Sequence, residues 1–527
     1  MHSLLPFLLA MIAAIVLLNM WATKLRVAYP IVLVVAGLVI SVIPGLPVVK
    51  INPDLIFFIF LPPLLFEASW TISFKEMKKW WRIITSFAFL VVFFTALAVA
   101  IFANHYIPGF TLALGFLLGG IVSPPDAVSA GAITKFVKIP NSTSAILEGE
   151  SLLNDASALI IYRFALLAVG TGQFVWQEAA TSFLWMVFGG AGVGLALAWV
   201  FVKLHKYLPT DTSSDIALTI IEPYFMYWLA EQFHCSGVLA VVSGGLFMST
   251  RRLSFLNSAS RISAFNVWES FVFILNGIVF LIIGLELSEI VEGIKTEGIP
   301  LKSAIFYGVL ITLVIIAARM ISSYVALLAT IIFRPNVIPQ RRSRRRRWLM
   351  PLLLGWTGMR GVVSLAAALA IPIALENGKP FPQRNLILFI TFVVILLTLI
   401  VQGLTLPAFI RRSKLFDGIF EEASEETVKA NMKKGLKQHV YQHLKNKYEQ
   451  DLTGHAGFEM ILKQWEDRAK GADESWMNPK TKAIFFELLE VQRKYLLELS
   501  KDPEIDETLI RQQFYKIDLE EERLKMI

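Results

Sequence analysis

Cysteine is almost missing from this chain, because Cys235 is the only one among 527 residues. A single thiol excludes a disulfide framework and a thiolate metal site. Charged residues are also scarce, at 17% of the sequence, whereas a soluble protein carries about a quarter. None of the seven histidines lies at the centre of an apolar stretch. This argues against an intramembrane hydrolase, which needs a nucleophile and base or an HExxH site at membrane depth.

What the chain has instead is apolar sequence, which makes up 55% of its residues and gives a mean hydropathy of +0.61. The charges are unevenly distributed. Residues 413–527 hold 19 Lys and Arg against 23 Asp and Glu, which leaves 30 and 18 for residues 1–412. We therefore predict an all-α polytopic membrane domain over 1–412 and a helical cytoplasmic tail over 413–527, regulatory or dimer-stabilising.

Thirteen apolar windows are candidate membrane spans, which need about 20 residues, and the ninth of them is short. They fall near residues 4–22, 29–48, 54–71, 83–104, 111–136, 143–169, 177–203, 215–232, 236–250, 264–290, 302–333, 348–376 and 385–410.

The loops between these windows differ in charge. Those after odd-numbered windows read TKLR, KEMKKWWR, TKFVK, KLHK, TRRLSFLNSASR, RPNVIPQRRSRRRR and RRSK, whereas those after even-numbered windows carry few basic residues. Positive charge marks the cytoplasmic side, so the pattern predicts thirteen spans with the N-terminus outside and the C-terminus inside. The arginine run at 341–347 then indicates topology and contact with anionic lipid rather than with nucleic acid.

Two of the windows are interrupted at mid-depth. The fifth contains Pro124 and Pro125 and then Asp126, and the prolines leave carbonyl groups without helical partners. The twelfth contains three glycines and an arginine: Gly355, Gly358, Arg360 and Gly361. Lipid cannot satisfy such carbonyls. The two windows are seven spans apart, so their orientations are opposite, which predicts inverted repeats with crossed broken helices and a binding site at the membrane midplane.

Asp155, central in the sixth window, is the best candidate for the ion carrier. An ionised carboxylate at the bilayer centre costs about 2.5–3.5 kcal/mol even on the lenient insertion scale. Partial desolvation favours the neutral form, so Asp155 can hold either a proton or a small hard cation. Oxygen ligands for Na⁺ or Li⁺ are available from Asp155, from Ser151 one helical turn earlier and from the carbonyls near Pro125.

Four neighbouring polar residues are expected to organise this site. Asn154 cannot titrate, so its amide is expected to bridge two helices. We read Asp126 and Arg360 as fixed charges that compensate the ends of the half-helices and each other. Glu150 is expected to pair with Arg360. Arg163, nearer the outer surface, is expected to extend its guanidinium toward water.

These motifs resemble a known family. The segments LEGESLLNDASALIIYRFAL, GIVSPPDAVSAGA, SGVLAVVSGGLF and GMRGVVSLAAALAIP look like those of bacterial sodium/proton exchangers of the NhaP type, related to the animal NHE exchangers. The resemblance covers about residues 1–412 and implies a homodimer in which a six-helix core (spans 4–6 and 11–13) moves against a dimerisation domain. It also implies a 13-helix fold without a cofactor.

For the site, the resemblance implies that Asp155 binds the cation with Ser151 and Glu67 as further ligands, and that Glu150 meets Arg360. An Asn-Asp pair at 154–155, rather than two adjacent acids, is similar to the electroneutral exchangers. One departure is Ser-Pro-Pro-Asp-Ala at 123–127, where relatives often read Ser-Pro-Thr-Asp-Pro. Pro125 then offers only its carbonyl, so cation selectivity depends on whether the missing hydroxyl matters.

The resulting hypothesis is a Na⁺ (or Li⁺)/H⁺ antiporter of a bacterial inner membrane that serves pH and sodium homeostasis. K⁺/H⁺ exchange is an alternative. A cation channel is less favoured, because it would call for a repeated filter or a charged ring rather than one titrating acid at crossed helix breaks.

Overall fold

The computed structural model of the chain describes residues 4–25, 27–41, 43, 53–72, 74–126, 131, 139, 141–172, 176–333, 344–375 and 378–413, together with parts of the C-terminal region, chiefly 479–499, 516–521 and 523–524. The chain divides into two compact units, Met1–Asp417 and Gly418–Ile527.

In the described residues of the first unit, the regular structure is helical apart from one antiparallel bridge between Ala374 and Pro380. The helices are α1 (Leu4–Leu25), α2 (Tyr29–Ser41), α3 (Pro53–Thr71), α4 (Phe74–Thr85), α5 (Val92–Tyr106), α6 (Leu112–Val122), α7 (Asn141–Thr171), α8 (Trp176–Leu184), α9 (Gly190–Tyr207), α10 (Thr212–Gln232), α11 (Gly237–Phe255), α12 (Ser258–Leu285), α13 (Leu287–Thr296), α14 (Leu301–Phe333), α15 (Arg344–Trp356), α16 (Val362–Leu369), α17 (Arg384–Leu397) and α18 (Gly403–Ser413).

Three pairs of these helices are continuous through a short π-helical segment. Ser86–Val91 joins α4 to α5, Trp185–Gly189 joins α8 to α9, and Thr398–Gln402 joins α17 to α18. A π-turn shifts the backbone hydrogen bonds and leaves carbonyls available to other groups, and such turns are frequent at functional sites.

Every apolar window of the sequence overlaps at least one of these helices. Within the described residues, seven helices are long and apolar enough to cross a membrane: Pro6–Leu25, Phe74–Tyr106, Thr143–Thr171, Ala180–Tyr207, Ala259–Thr296, Leu301–Ala329 and Arg384–Ser413. The remaining windows hold helices that are shorter, interrupted or more polar. The number of thirteen spans stays a prediction.

Small residues let the helices approach closely at several crossings. Gly119 of α6 lies against the backbone of Ala96 in α5, where a Cβ atom on the glycine would come within 2.6 Å of the Ala96 carbonyl oxygen. Gly194 of α9, the last residue of the sequence GGAGVG at 189–194, packs on the backbone of Ala240 in α11 in the same way. Close backbone contact of this kind is how membrane helices associate, and the contact on α6 positions the helix that ends at the first break.

The second unit contains α19 (Pro479–Leu499), in agreement with the helical pattern of its sequence. Its apolar face buries Leu489 against Ile517 and Leu524. Arg493 forms ion pairs with Glu490 at 2.6 Å, with Asp518 at 2.7 Å and with Glu521.

Candidate functional site

The first break follows directly from the two prolines. α6 ends at Val122, and the chain from Ser123 to Asp126 is not helical. Pro124 and Pro125 have no N–H group to continue the helical hydrogen bonds. Because the helix stops at Val122, the carbonyl groups of Val122, Ser123 and Pro125 accept no helical hydrogen bond and need partners from other parts of the protein.

The second break separates α15, which ends at Trp356, from α16, which begins at Val362. Gly361 stands just before the N-terminus of α16. The carboxylate of Asp126 lies so close to Gly361 that a methyl group there would collide with it. A negative charge is thus placed at the positive end of a half-helix, where the helix dipole favours it.

The two breaks are in direct contact. The backbone N–H of Asp126 donates to the carbonyl of Met359 at 2.7 Å. Arg360, which is fully buried, donates from Nε to the Val122 carbonyl at 2.7 Å and from Nη2 to the Ser123 carbonyl at 3.1 Å. Its Nη1 donates to the carbonyl of Gly358. The guanidinium therefore occupies the negative end of α6 and satisfies carbonyls on both sides of the crossing.

A third helix, α7, is attached to the crossing by polar side chains. Asn154 Nδ2 donates to the Pro125 carbonyl at 3.0 Å, and the Ser151 hydroxyl lies 3.4 Å from the same oxygen. The Ser157 hydroxyl donates to the carbonyl of Ala88 at 2.5 Å, inside the π-helical segment Ser86–Val91. Asn154 thus acts as a bridge between helices, and α7 is held on two sides.

A cavity of about 900 Å³ opens beside this crossing. Five carboxylate-bearing residues line it, together with Ser151 and Tyr29: Glu67, Asp126, Glu148, Asp155 and Glu269. Asp155 is 7% exposed. The structure therefore brings the expected cation ligands Asp155, Ser151 and Glu67 to one cavity. Pro125 is not among the residues that line it, and its carbonyl faces Ser151 and Asn154.

The predicted pairing of Glu150 with Arg360 is wrong. Glu150 forms a double ion pair with Arg319 of α14, whose Nη1 and Nη2 lie 2.6 Å and 3.0 Å from the two carboxylate oxygens. Both side chains are almost completely buried. The N–H groups of Arg360 donate to the carbonyls of the two breaks. Glu150 has a bidentate partner in Arg319 instead.

Arg319 is the site residue that the sequence analysis missed. The signal was present, since one arginine stands near the middle of the apolar stretch LITLVIIAARMISSY, and ionisable residues inside spans are functional candidates. Arg319 Nε also donates to the Leu354 carbonyl at 3.2 Å. It links α7 to α15, the helix that leads into the second break.

Arg163 also has a specific partner. Its Nη2 lies 2.5 Å from Glu231 Oε2 at the C-terminal end of α10. The other oxygen of Glu231 accepts from the backbone N–H of Gly237 at 3.2 Å. The two side chains are about one third exposed, so the guanidinium is fixed by an ion pair and not only by water.

Comparison with known proteins identifies relatives over most of the chain. A family model described as "Sodium/hydrogen exchanger, transmembrane" matches residues 8–412. The chain is 32% identical over 407 residues to a "Sodium, potassium, lithium and rubidium/H(+) antiporter" of Bacillus pumilus, covering 76% of this chain and 60% of that protein. It is 28% identical over 531 residues to an uncharacterised Na(+)/H(+) exchanger of Mycobacterium tuberculosis, covering 98% and 95%.

Another relative is the "Low-affinity Na(+)/H(+) antiporter NhaS1" of Synechocystis, at 31% identity over 383 residues, 72% of this chain and 68% of that protein. Among solved structures, the sodium proton antiporter MjNhaP1 from Methanocaldococcus jannaschii matches with a TM-score of 0.60 and 18% identity. The match covers 77% of this chain and 98% of that one. The first unit therefore has the fold of this antiporter.

The Glu150–Arg319 pair generates a stability prediction. Arg319→Ala leaves a buried carboxylate without its partner and should lower the free energy of unfolding by about 3–5 kcal/mol. Replacing both side chains, as in the Glu150→Met/Arg319→Met variant, should recover most of that loss, because apolar groups of similar volume can replace a buried ion pair. The measurement is thermal melting in detergent. Equal melting of Arg319→Ala and wild type would show that the pair does not stabilise the fold.

Proposed function

Since the chain belongs to the sodium/hydrogen exchanger family, we propose that it is a secondary active antiporter that exchanges Na⁺ for H⁺ across a membrane by alternating access. The observation that carries the proposal is the position of Asp155, a carboxylate in a cavity beside two crossed helix breaks. The two buried arginines are engaged by other groups, because Arg360 binds carbonyls and Arg319 binds Glu150. Among the carboxylates that line the cavity, we assign the change of charge to Asp155, which is buried next to the first break.

In this mechanism a proton and a cation compete for Asp155. When Asp155 is ionised, Na⁺ binds to its carboxylate with oxygen ligands from Ser151 and Glu67, and when it is protonated the cation leaves. The Pro125 carbonyl is a candidate fourth ligand, since it lies next to Ser151. Asn154 holds the break in place and carries no charge, so one proton is exchanged for one cation.

The architecture that goes with this mechanism is also part of the proposal. It has thirteen spans over 1–412 arranged as two inverted repeats, and a cytoplasmic tail over 413–527. The N-terminus lies outside and the C-terminus inside a bacterial inner membrane. The protein works as a homodimer embedded in lipid, in which spans 4–6 and 11–13 move against the remaining spans. The support is the positive charge of the odd-numbered loops and the contact between the two breaks.

Two kinds of cation are candidates for the ion that is exchanged for H⁺. Na⁺, or Li⁺, is the first, because the NhaS1 relative is named for Na⁺ alone. K⁺ is the second, because the Bacillus pumilus relative is named for sodium, potassium, lithium and rubidium. Quenching and recovery of a pH dye in everted vesicles, with each cation added separately, distinguishes them. A channel would dissipate either gradient alone, whereas an exchanger couples the two.

The role of Asp155 is tested by Asp155→Asn. This variant should insert and melt like wild type but should lose sodium-dependent proton flux to the background of empty vesicles, because an amide cannot exchange a proton for a cation. Asp211→Asn is the matched control, since Asp211 is an exposed helix cap and asparagine caps helices equally well. Substantial sodium-dependent flux in Asp155→Asn would refute Asp155 as the carrier.

Exchange should be electroneutral, because a single titrating carboxylate moves one positive charge in each direction. A membrane potential is worth about 2.3 kcal/mol per charge per 100 mV, but it would have no net charge to act on. The measurement is the sodium gradient that just stops proton flux in proteoliposomes, with and without a potential clamped by valinomycin. If that gradient moves with the potential, Glu67 or Asp126 carries a second proton and the mechanism with one carboxylate is wrong.

A further inference from the structure

A second buried group of titratable side chains lies away from the cavity. His205 of α9 stands between two carboxylates of α10: its Nδ1 lies 2.9 Å from Asp215 Oδ1 and its Nε2 lies 2.8 Å from Glu222 Oε1. All three residues are buried. None of them lines the 900 Å³ cavity or takes part in the exchange mechanism.

The hydrogen bonds of this cluster determine how many protons it must hold. Each of the two contacts between a ring nitrogen and a carboxylate oxygen needs one proton to be a hydrogen bond. That proton can be bound to the nitrogen or to the oxygen. With two protons the cluster is either an imidazolium between two carboxylates or a neutral imidazole with one acid and one carboxylate. Both arrangements leave a single net negative charge inside the protein, which is unfavourable away from water.

The two carboxylates differ in their remaining oxygen. Asp215 Oδ2 accepts from the Ser260 hydroxyl at 2.7 Å. Glu222 Oε2 is buried and has no hydrogen-bond partner in the part of the chain that the structure describes. A third proton on that oxygen would neutralise the cluster and keep both existing hydrogen bonds. The structure thus offers one vacant position for a proton, and it is on Glu222.

The other charged groups on the helices that pack around His205, Asp215 and Glu222 do not neutralise the cluster. Each of them is exposed, lines the cavity or contacts a group outside the cluster. From α3, α9, α10 and α12 these are Glu67, Lys203, Lys206, Asp211, Arg261 and Glu269. Arg251 and Arg252 at the end of α11 are exposed. From α11 the uncharged ring of Phe255 lies against the His205 ring, with the two centroids 5.2 Å apart. Glu231, at the far end of α10, pairs with Arg163.

We propose that His205, Asp215 and Glu222 form a proton-binding site separate from the Asp155 cavity, which takes up one proton on Glu222 Oε2 and does not transport it. The bound proton strengthens the attachment of α10 to α12. Two side-chain hydrogen bonds between described residues connect these helices: Ser260 with Asp215, and Trp268 Nε1 with Thr219 Oγ1 at 3.1 Å. Trp268 lines the cavity, so the proton site supports one cavity wall.

Infrared difference spectra of the purified full chain between alkaline and acid pH test the proposal without measuring transport. Wild type should show a carboxylic acid C=O band at the high-frequency end, where acids with few hydrogen bonds absorb. Glu222→Gln should lose that band. Asp155→Asn and the exposed control Glu292→Gln should keep it. Retention of the band in Glu222→Gln, or its loss in Asp155→Asn, would overturn the assignment.

An isotope label keeps the test decisive if Glu222→Gln does not fold. In wild type grown with carboxyl-labelled ¹³C-glutamate the band should shift, and an unshifted band or no band overturns the proposal. Where Glu222→Gln does fold, its melting temperature should exceed that of wild type by more at alkaline pH than at acid pH, because only wild type then carries the buried charge. A difference that does not change with pH contradicts the proposal.

Discussion

The interaction on which the site depends is between Arg360 and the carbonyl groups of the two helix breaks. A broken helix inside hydrocarbon leaves carbonyls that neither lipid nor the helix itself can satisfy. The guanidinium of Arg360 supplies three donors in a fixed planar geometry. They donate to the carbonyls of Val122, Ser123 and Gly358. Prolines and glycines can therefore interrupt two spans at the same place without exposing backbone polar groups to lipid.

The other charges of the site follow from that arrangement. Since Arg360 is engaged by carbonyls, Glu150 takes its partner from α14, and Arg319 becomes the second buried arginine. The carboxylate of Asp126 lies at the start of α16. The Asn154 amide donates a hydrogen bond to the carbonyl of Pro125. The two buried arginines are thus engaged within the protein, whereas Asp155 and four other carboxylate-bearing residues line a cavity. The exchange that we propose requires this separation between charges that hold the helices and a carboxylate that can change its charge.

Much of this could be predicted from the sequence, because proline pairs, glycine clusters and isolated acids in apolar windows are local signals. The breaks at Pro125 and Gly361 and the bridging amide of Asn154 are of this kind. Partner choice is different, since it depends on which helices pack together. Two arginines are buried among the described residues, Arg319 and Arg360. No spacing in the chain shows which of them lies next to Glu150. The cluster of His205, Asp215 and Glu222 likewise appears only when α9 and α10 are brought side by side.

The central claim is that the shape of the Arg360 side chain, and not only its charge, holds the crossing of the two breaks. Arg360→Lys keeps the charge but can reach fewer of the carbonyls, and each orphaned buried acceptor costs about 1–3 kcal/mol. The direct measurement is detergent melting together with sodium-driven proton flux for Arg360→Lys, beside Arg411→Lys at an exposed position of α18. We expect a marked loss of both in Arg360→Lys and no change in Arg411→Lys. Wild-type melting and flux in Arg360→Lys would contradict this account.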